Sequence, residues 1–550
     1  MTPDLRDFEL DRRDGETQAG TRTLGAATAS DPIHAVLEAL APAFGISEER
    51  GAPGSGTRRR TWLDTFDWRL ERAGLELTYE NARRGSRLLL TAWDGTPQAE
   101  QPAAGWQPRR PSLPQDLPPG PVRDRIVQLA SPRALLPVVT TSTTISVKRL
   151  TNPDGKTVAR LIVNASSLTL GGANPRTLGL PARLTIAEVR GYPAQARRAA
   201  RLLAELPGVA PVTTTLLAEA LRALGRRPAD YTNGVDAEIT AEMPAPVAVA
   251  TVLLRLLDTL EQNTCGVLRD IDTEFLHDLR VSVRRTRAAI KLLGDVLPGD
   301  LAEQYGPEFA WLGDLTTPTR DLDVHLLGFP AMAEHLLAAS PEDLEPFRAF
   351  LARRRSREFR LLATAMRSPR FRTLTDHWRK ALVEVRDAAG PRRRRARQIP
   401  AADLAVTRTA RAFGKVTSRG GAITAASAPE SLHDLRKRCK ELRYLLEFFA
   451  PLYDPVAYKK VVGDLKQLQD CLGDFQDSQI EREEIHALAE QMLAERAAPA
   501  ATLLAMGEIT AKLAIRQEQA RADFGRRFAA FAGPEGQRRV RVLLERAGAP

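Results

Sequence analysis

The spacing of hydrophobic positions changes character once along this chain, near residue 240. Upstream, apolar residues come in short segments. Asp31 to Phe44 (DPIHAVLEALAPAF) opens with an Asp N-cap and a Pro and continues at helical spacing, which predicts a helix. Residues 61–95 read as strands: Leu75, Leu77 and Tyr79 alternate with polar residues, as do Leu88 and Leu90 in part. Residues 16–30 and 48–60 read as loops, and residues 96–121 as a Pro/Gln-rich loop. Val138 to Arg149 is strand-like, Asn152-Pro153-Asp154-Gly155 is a turn sequence, and Thr157 to Ala165 is the returning strand. Leu184 to Arg190 is a further strand. Ala194 to Glu205 and Thr214 to Leu224 have helical spacing. This half is predicted to be α+β with antiparallel hairpins.

From Pro244 onward strand patterns stop. Long amphipathic helices follow, broken at Pro298-Gly299, Pro369, Gly390-Pro391, Gly420-Gly421, Pro451 and Gly533-Pro534. Residues 388–400 and 417–429 are the linker candidates. The expected division is 1–235 and 240–550, the second part holding two units at about 245–390 and 400–550.

Those two units follow from an internal repeat. EFLHDLR at 274–280 recurs as ESLHDLR at 430–436, an offset of 156 residues. Arg284 then matches Lys440, Arg287 matches Arg443, and Ile290 matches Leu446. Further on, Leu312 matches Leu468, Asp314 matches Asp470, Asp321 matches Asp477, and Val324 matches Ile480. Such a unit is too long for a solenoid repeat. Two related helical bundles about a pseudo-twofold axis are expected.

On a helical wheel His277, Arg280, Arg284, Arg287 and Lys291 fall within roughly 80° of one another. Leu276, Leu279, Val283 and Ile290 form a separate stripe. The second copy sets His433, Arg436, Lys440 and Arg443, flanked by Lys437, against Leu432, Leu435, Cys439 and Leu446. Each helix is expected to be anchored on one side and cationic on another. Like charges at this spacing cost a few tenths of a kcal/mol per pair. Asp314, Asp321, Asp323, Asp470, Asp474 and Asp477 are available to offset that. A row of one sign suits an extended polyanion, since Arg grips phosphate oxygens in pairs and Lys adds point charge.

Composition narrows the classes. The chain has 550 residues, 79 Lys plus Arg against 68 Asp plus Glu, a net charge of +11 and a pI of about 9.8. With 43% hydrophobic residues it is not globally disordered, and two or three domains are expected. From residue 251 on there are 48 basic and 41 acidic residues, leaving 31 and 27 upstream. The surplus is therefore spread over both halves, and local combs matter more. The densest are Arg353 to Arg357, Arg392 to Arg397, and Arg436 to Arg443, each of which is also compatible with a solvated helix face. Cys265, Cys439 and Cys471 have neither disulfide-framework nor zinc spacing. Residues 1–15 are no signal peptide, and no long apolar run predicts a membrane span. A soluble cytoplasmic protein is expected.

Of seven histidines, His34, His325, His335, His377 and His486 are expected to be structural or surface residues. His277 and His433 stand apart because each heads a basic row. Three readings are open for them: helix packing or capping, hydrogen bonding to an anion, or metal-dependent phosphohydrolase chemistry through the His-Asp dipeptides. The last needs further ligands, and the basic rows would compete with a dication.

At these residues the chain resembles the CHAD family (conserved histidine α-helical domain). The motifs are LHDLRVSVRRTRAAIKLL at 276–293, LGDLTTPTRDLDV at 312–324 and LHDLRKRCKELRYLLEFF at 432–449, within a resemblance covering about 240–550. It implies an all-α domain of two similar bundles that binds inorganic polyphosphate in a basic groove. The implied positions are His277, Arg280, Arg284, Arg287, His433, Arg436, Lys437, Lys440 and Arg443, with Lys291 continuing the row. Arg320, in an RDxD motif, is also implied, and its repeat mate is Gln476.

The first half is similar to a CYTH (triphosphate tunnel) domain, through WLDTFDWRLERAGLEL at 62–77 and LPVVTTSTTISVKRL at 136–150, with Leu184 to Gly191 as the late acidic strand. That resemblance implies an antiparallel β-barrel or tunnel in which cations bind triphosphate and carboxylates hold a divalent metal. The family's ExExK motif is missing; the nearest residues are Glu9-Leu10-Asp11-Arg12-Arg13, and Glu16 with Gln18. Thr78, Glu80, Thr91, Thr140 and Ser142 stand where inner-strand cations are expected, and Glu188 alone remains late. Lys148, Arg149, Lys156 and Arg160 read as turn-flanking surface charge, with contact to an anion as the alternative. The expectation is a degenerate tunnel with no cofactor, a divalent metal entering only if it is active. The overall expectation is a non-enzymatic polyphosphate-binding protein, with polyphosphate granules as a location compatible with that role. A triphosphatase, a nucleic-acid binder and a scaffold are the alternatives. Few aromatics are available for base stacking.

Overall fold

The computed structural model describes residues 22–24, 32–82, 85–170, 176–334, 336–387, 399–545 and 547. The Asp31 cap, Glu9 to Arg13, Glu16, Gln18, His335 and the Arg392–Arg397 comb lie outside the described residues. The chain forms two compact units, Met1–Thr232 and Asn233–Pro550.

The first unit is built on one antiparallel sheet. Its strands are β1 (Arg22–Leu24), β2 (Gly45–Glu48), β3 (Gly56–Thr65), β4 (Leu75–Ala82), β5 (Gly85–Ala92), β6 (Pro97–Pro102), β7 (Leu135–Thr151), β8 (Thr157–Leu170), β9 (Arg176–Gly179), β10 (Arg183–Glu188) and β11 (Val209–Pro211). Helices α1 (Pro32–Leu40), α2 (Arg69–Arg72), α3 (Pro121–Ala130), α4 (Pro193–Ala204) and α5 (Leu216–Ala223) complete it. The strand order is β11-β1-β10-β8-β7-β3-β4-β5-β6, with β2 on β7 and β9 on β8.

Several expectations hold. The β7–β8 hairpin turns at Asn152–Gly155, where the Gly155 amide donates to the Asn152 carbonyl at 2.9 Å and Gly155 takes a left-handed φ of 76°. Four expectations change. The 16–30 segment is not all loop, because it carries β1 at Arg22–Leu24, paired with β10 and β11. The path of described strands ends at β11 and β6 without closing, so the expected barrel is an open sheet. The 48–60 segment is not all loop, because β3 starts at Gly56 and carries Arg58 and Arg60. Hydrophobic alternation missed it because the first half of this strand is charged. The 96–121 segment likewise contains β6, and α3 begins at its end.

Two local networks order the sheet. Asp64 accepts from the backbone amides of Thr65, Leu70 and Glu71 at 2.7, 3.0 and 2.9 Å, so it caps α2. Burial pushes its carboxyl up to about 6 even so. Glu80, 1% exposed, accepts from Arg60 at 2.8 Å and Arg87 at 2.9 Å, and Arg58 lies 3.7 Å away. Directly opposed residues of an antiparallel pair share a face, and here Arg60, Glu80 and Arg87 are in register. Arg58, two residues along β3, joins them. Thr78 and Thr91 lie on this face, whereas Thr140 and Ser142 lie on the other.

The second unit is all-helical among the described residues: α6 (Ala245–Leu268), α7 (Thr273–Leu293), α8 (Leu301–Ala333), α9 (Glu345–Met366), α10 (Pro369–Asp387), α11 (Ala401–Gly421), α12 (Pro429–Phe448), α13 (Pro455–Ala494), α14 (Ala500–Ala532) and α15 (Pro534–Glu545). The 417–429 linker shortens, because α11 continues to Gly421. The starts of α6 and α11, and of α7 and α12, are each 156 residues apart. The Ala245 amide donates to the Ile399 carbonyl at 2.9 Å, and Ala401 donates to Met243 at 2.8 Å, the same bond with the copies exchanged. Helix α6 is buried almost all round, through Val249, Val252, Leu253, Leu256, Leu257 and Leu260. Each such side chain contributes about 1.5–3 kcal/mol on burial. No described helix is long and apolar enough to cross a membrane.

Removing Glu80 leaves three guanidinium groups facing one another. Glu80→Ala is expected to destabilise the full chain by about 2 kcal/mol, less than a fully buried pair because the arginines are partly solvated. Urea denaturation followed by tryptophan fluorescence measures it. An unchanged midpoint would mean that water already neutralises the cluster.

Candidate functional site

Helix α7 is fixed from both ends of its apolar side. Asp272 caps it by accepting from the Glu274 and Phe275 amides at 2.9 and 3.3 Å. Phe275 packs where Gly266 of α6 has no side chain; a Cβ there would meet the ring at 2.1 Å. The predicted anchor stripes are buried at Leu276, Leu279 and Val283 on α7 and at Leu432, Leu435, Cys439 and Leu446 on α12, while Ile290 of the α7 stripe is half-buried. The cationic faces are thereby turned away from the core.

The structure brings the two faces together. Arg285 of α7 binds Glu447 of α12 at 2.9 Å, and Lys291 binds Glu441 at 2.7 Å, so the helices run antiparallel. Arg443 also binds Glu447, at 2.7 Å, and Arg438 binds Glu441 at 3.0 Å. Glu441 stands 156 residues after Arg285, and Glu447 stands 156 after Lys291. The two interhelical ion pairs therefore join the same two positions with the charges exchanged.

Arg280 donates to the Gly313 carbonyl at 3.1 Å and to the Thr317 hydroxyl on α8, and burial with Arg284, Arg320 and Arg287 nearby lowers its pKa against the pull of Asp321. Its repeat mate Arg436 binds Asp477 at 2.8 Å and keeps a buried Nε without a partner. Arg287 extends over Gly313 toward Asp314, 3.9 Å away. Arg320 donates to the Thr273 carbonyl at 3.3 Å, with Glu274 3.8 Å away. His433 Nδ1 lies 2.6 Å from Gln476 Oε1, and the equivalent of Gln476 is Arg320, which bears on His277. Burial first, then the Arg320 charge, holds His277 below the ordinary histidine range.

Arg284, Lys437 and Lys440 make no ion pair among the described residues. Lys440 is pushed down to about 8 by burial, then by Arg436 of its own helix and Arg284 of the other, with Asp477 opposing. The positive fields of both rows thus meet at Lys440. Tyr444 lies at the same junction: burial raises its phenol while Arg284, Arg285 and Arg443 pull it down.

Sequence reasoning missed Arg285, Glu441, Tyr444 and Glu447. The i, i+4 spacing of Arg443 and Glu447 was available as a signal, but the cross-helix partners were not. The Arg353–Arg357 comb is largely used internally, with Arg355 binding Asp323 at 2.8 Å and Asp270, and Arg354 bonded to Gln491. The His-Asp dipeptides do not converge: Asp278 accepts from Asn233 at 2.9 Å and Asp434 lies 3.4 Å from Arg438. Among the described residues no group of three or more His, Cys, Asp or Glu could hold a metal ion. Glu188 is exposed at the end of β10.

Residues 251–486 match the family model of the CHAD domain, and the chain carries that domain there. Among solved structures, the CHAD domain from the plant Ricinus communis is 24% identical, with a TM-score of 0.46 over 55% of this chain and 96% of that one. PptA from Streptomyces chartreusis is 18% identical, with a TM-score of 0.40 over 52% of this chain and 99% of its own. No curated protein matches.

Glu447 neutralises cations from both helices. Glu447→Gln is expected to lower stability by about 2 kcal/mol, since Arg285 and Arg443 are left opposed in a half-buried site. Thermal unfolding checks it, and the additional substitution Arg285→Met should recover part of the loss.

Proposed function

We propose that the CHAD domain at residues 251–486 binds inorganic polyphosphate along the paired cationic faces of α7 and α12, without cleaving it. The reading is carried by the junction at Lys440, where Arg436 of its own helix and Arg284 of the other converge on a half-buried lysine to which no carboxylate is bound, and its pKa is held down to about 8 against the pull of Asp477. Such a group is costly in the free protein, and an anion laid across the junction would relieve it. Arg284 and Lys437 would contact phosphate directly. Arg280 and Arg436, tethered to α8 and α13, would act as oriented donors, with His277 and His433 at the two outer ends. The reciprocal bonds and ion pairs support reading the two copies as related by a pseudo-twofold, so a chain crossing the junction would meet the same residues twice. The family's association with polyphosphate fits this site.

The first unit is read as a CYTH-like sheet that has lost hydrolysis. Its arginine face is occupied by Glu80 and, at 2.8 Å from Arg87, by Glu100. No cofactor is assigned to either unit. A cytoplasmic location, with or without granule association, accords with an intracellular polyanion partner.

Long chains can span both rows and triphosphate cannot, so affinity should rise steeply with polyphosphate length until the junction is covered. For long chains the slope of log K against log salt should be about −0.7 per neutralised phosphate, the rule for a single polyanionic strand. Arg280→Ala with Arg436→Ala should weaken binding roughly a hundredfold and flatten the slope by about 0.7 for each phosphate that is no longer neutralised. Titration of the folded double variant with length-defined polyphosphate tests both. Unchanged affinity would remove the groove from consideration, and equal affinity for single-stranded RNA at matched salt would favour a nucleic-acid binder.

Lys440 gives a separate signature. Because its pKa is about 8 when folded against 10.5 ordinarily, folding disfavours its charge below pH 8, and that cost is relieved as pH rises toward 10.5. Polyphosphate affinity should run the other way, falling between pH 7 and 9 as the ammonium is lost. Lys440→Met should raise the melting temperature by about 2–4 °C at pH 7 while weakening polyphosphate binding and removing this pH dependence. Calorimetry in buffers of different ionisation enthalpy would detect proton uptake on binding near pH 8, and its absence would count against the assignment.

A further inference from the structure

The register of α7 against α12 decides which residues meet at the junction. The pairs Arg285–Glu447 and Lys291–Glu441 are centred on Ala288 of α7 and Tyr444 of α12, which are repeat mates. Arg284 and Lys440, also repeat mates, each lie about one turn before that centre on their own helix. Because the helices run antiparallel, the two flank the centre from opposite sides. One is a guanidinium and the other an amine.

Lys440 is half-buried, with Arg436 one turn back on α12, Arg284 facing it from α7 and Asp477 acting on it from α13. Asp477 is itself committed to Arg436 at 2.8 Å. Among the described residues neither Lys440 nor Arg284 makes an ion pair or a side-chain hydrogen bond. Arg436 adds an independent sign. One of its terminal nitrogens donates to Asp477, while its buried Nε–H has no acceptor. Two guanidinium groups thus border an amine with donors to spare, and what the junction lacks is a carboxylate at the lysine itself. Burial, then Arg436 and Arg284, favour the uncharged amine, which is pushed down to about 8 against Asp477.

We propose that Lys440 reacts reversibly with carbon dioxide, forming a carbamate that Arg436 and Arg284 hold. The lone pair of the uncharged Nζ attacks the carbon of CO₂ and a C–N bond forms. One C=O π pair moves onto oxygen, and Nζ releases one proton to solvent. The step needs no oxidant, reductant or leaving group, and protonation of the nitrogen reverses it. An exposed lysine is poorly suited, since its amine is protonated at neutral pH and no cation meets the product. At Lys440 the free amine is accessible at neutral pH, and the new carboxylate lies between two cations and offers the Arg436 Nε–H an acceptor. Arg284 has no amine to react, and Lys291 is already bound to Glu441 at 2.7 Å. The modification shares its junction with the polyphosphate reading, and its regulatory consequence rests on that reading: a negative charge placed where the phosphate chain crosses competes with the chain.

Full-length protein equilibrated with ¹³C-labelled CO₂, without polyphosphate, tests it. The carbamate is trapped by O-alkylation with an oxonium salt and located by mass spectrometry after digestion. A labelled adduct is expected on the peptide holding Lys440, and none in a sample flushed with nitrogen. Lys440→Arg, which keeps the charge, should abolish it, and Arg436→Gln should lower its yield several-fold. Lys459→Arg, at an exposed lysine of α13, should leave it unchanged. At fixed dissolved CO₂ the yield should rise as pH passes about 8, well below the ordinary lysine value of 10.5. In a second arm, at constant pH and ionic strength, CO₂ should weaken polyphosphate binding roughly tenfold and have no effect on folded Lys440→Arg. Absence of the Lys440 adduct, or equal trapping on exposed lysines, would overturn the proposal. Unchanged polyphosphate affinity despite a trapped carbamate would overturn its regulatory consequence. Trapping at Lys440 in a protein that binds no polyphosphate would uphold the carbamate and overturn only the polyphosphate reading.

Discussion

Two helices that each carry a row of cations can pack side by side only if carboxylates are set between them. Glu447 receives Arg285 of α7 and Arg443 of α12, and Glu441 receives Lys291 of α7 and Arg438 of α12. Unit charges about 7 Å apart repel by about 2.4 kcal/mol at an effective dielectric of 20, so several such pairings would split the helices. The bridges remove the repulsion along one edge of the seam. At Lys440 and Arg284 it remains, and there the fold tolerates a local cost that an external anion could relieve.

The first unit uses the same device to the opposite end. Glu80 is placed among Arg58, Arg60 and Arg87, and Glu100 accepts from a second nitrogen of Arg87. The cations are satisfied inside the sheet, and the face becomes a structural ion network. A carboxylate at the edge of a cationic row joins two elements; a carboxylate at its centre cancels the row.

The two copies begin their first two helices at matching positions and differ in detail. His433 meets Gln476 where His277 meets Arg320. Arg436 is held by Asp477, whereas Arg280 is held by a backbone carbonyl and threonine hydroxyls of α8. Burial, and then the Arg320 charge, holds the histidine at the head of the first row below the ordinary range, and the second is oriented through an amide.

Much of this was written in local periodicity. The apolar stripes of α7 and α12, the β7–β8 hairpin and the end of strand patterns at Pro244 each depend on residues within a few turns of one another, and the offset of 156 is read by comparing two such local patterns. Arg58 and Arg60 escaped because a strand whose exposed half is charged has no hydrophobic alternation to read. The ion pairs that decide which cations stay available, Arg285 with Glu447 and Lys291 with Glu441, span 162 and 150 residues. Residue order alone dictates which face of each helix is apolar and which is cationic, because a helical period makes neighbours of residues three and four apart. Which charges cancel and which remain is settled by the folded arrangement, because Coulomb energy depends on distances in space that no local period encodes.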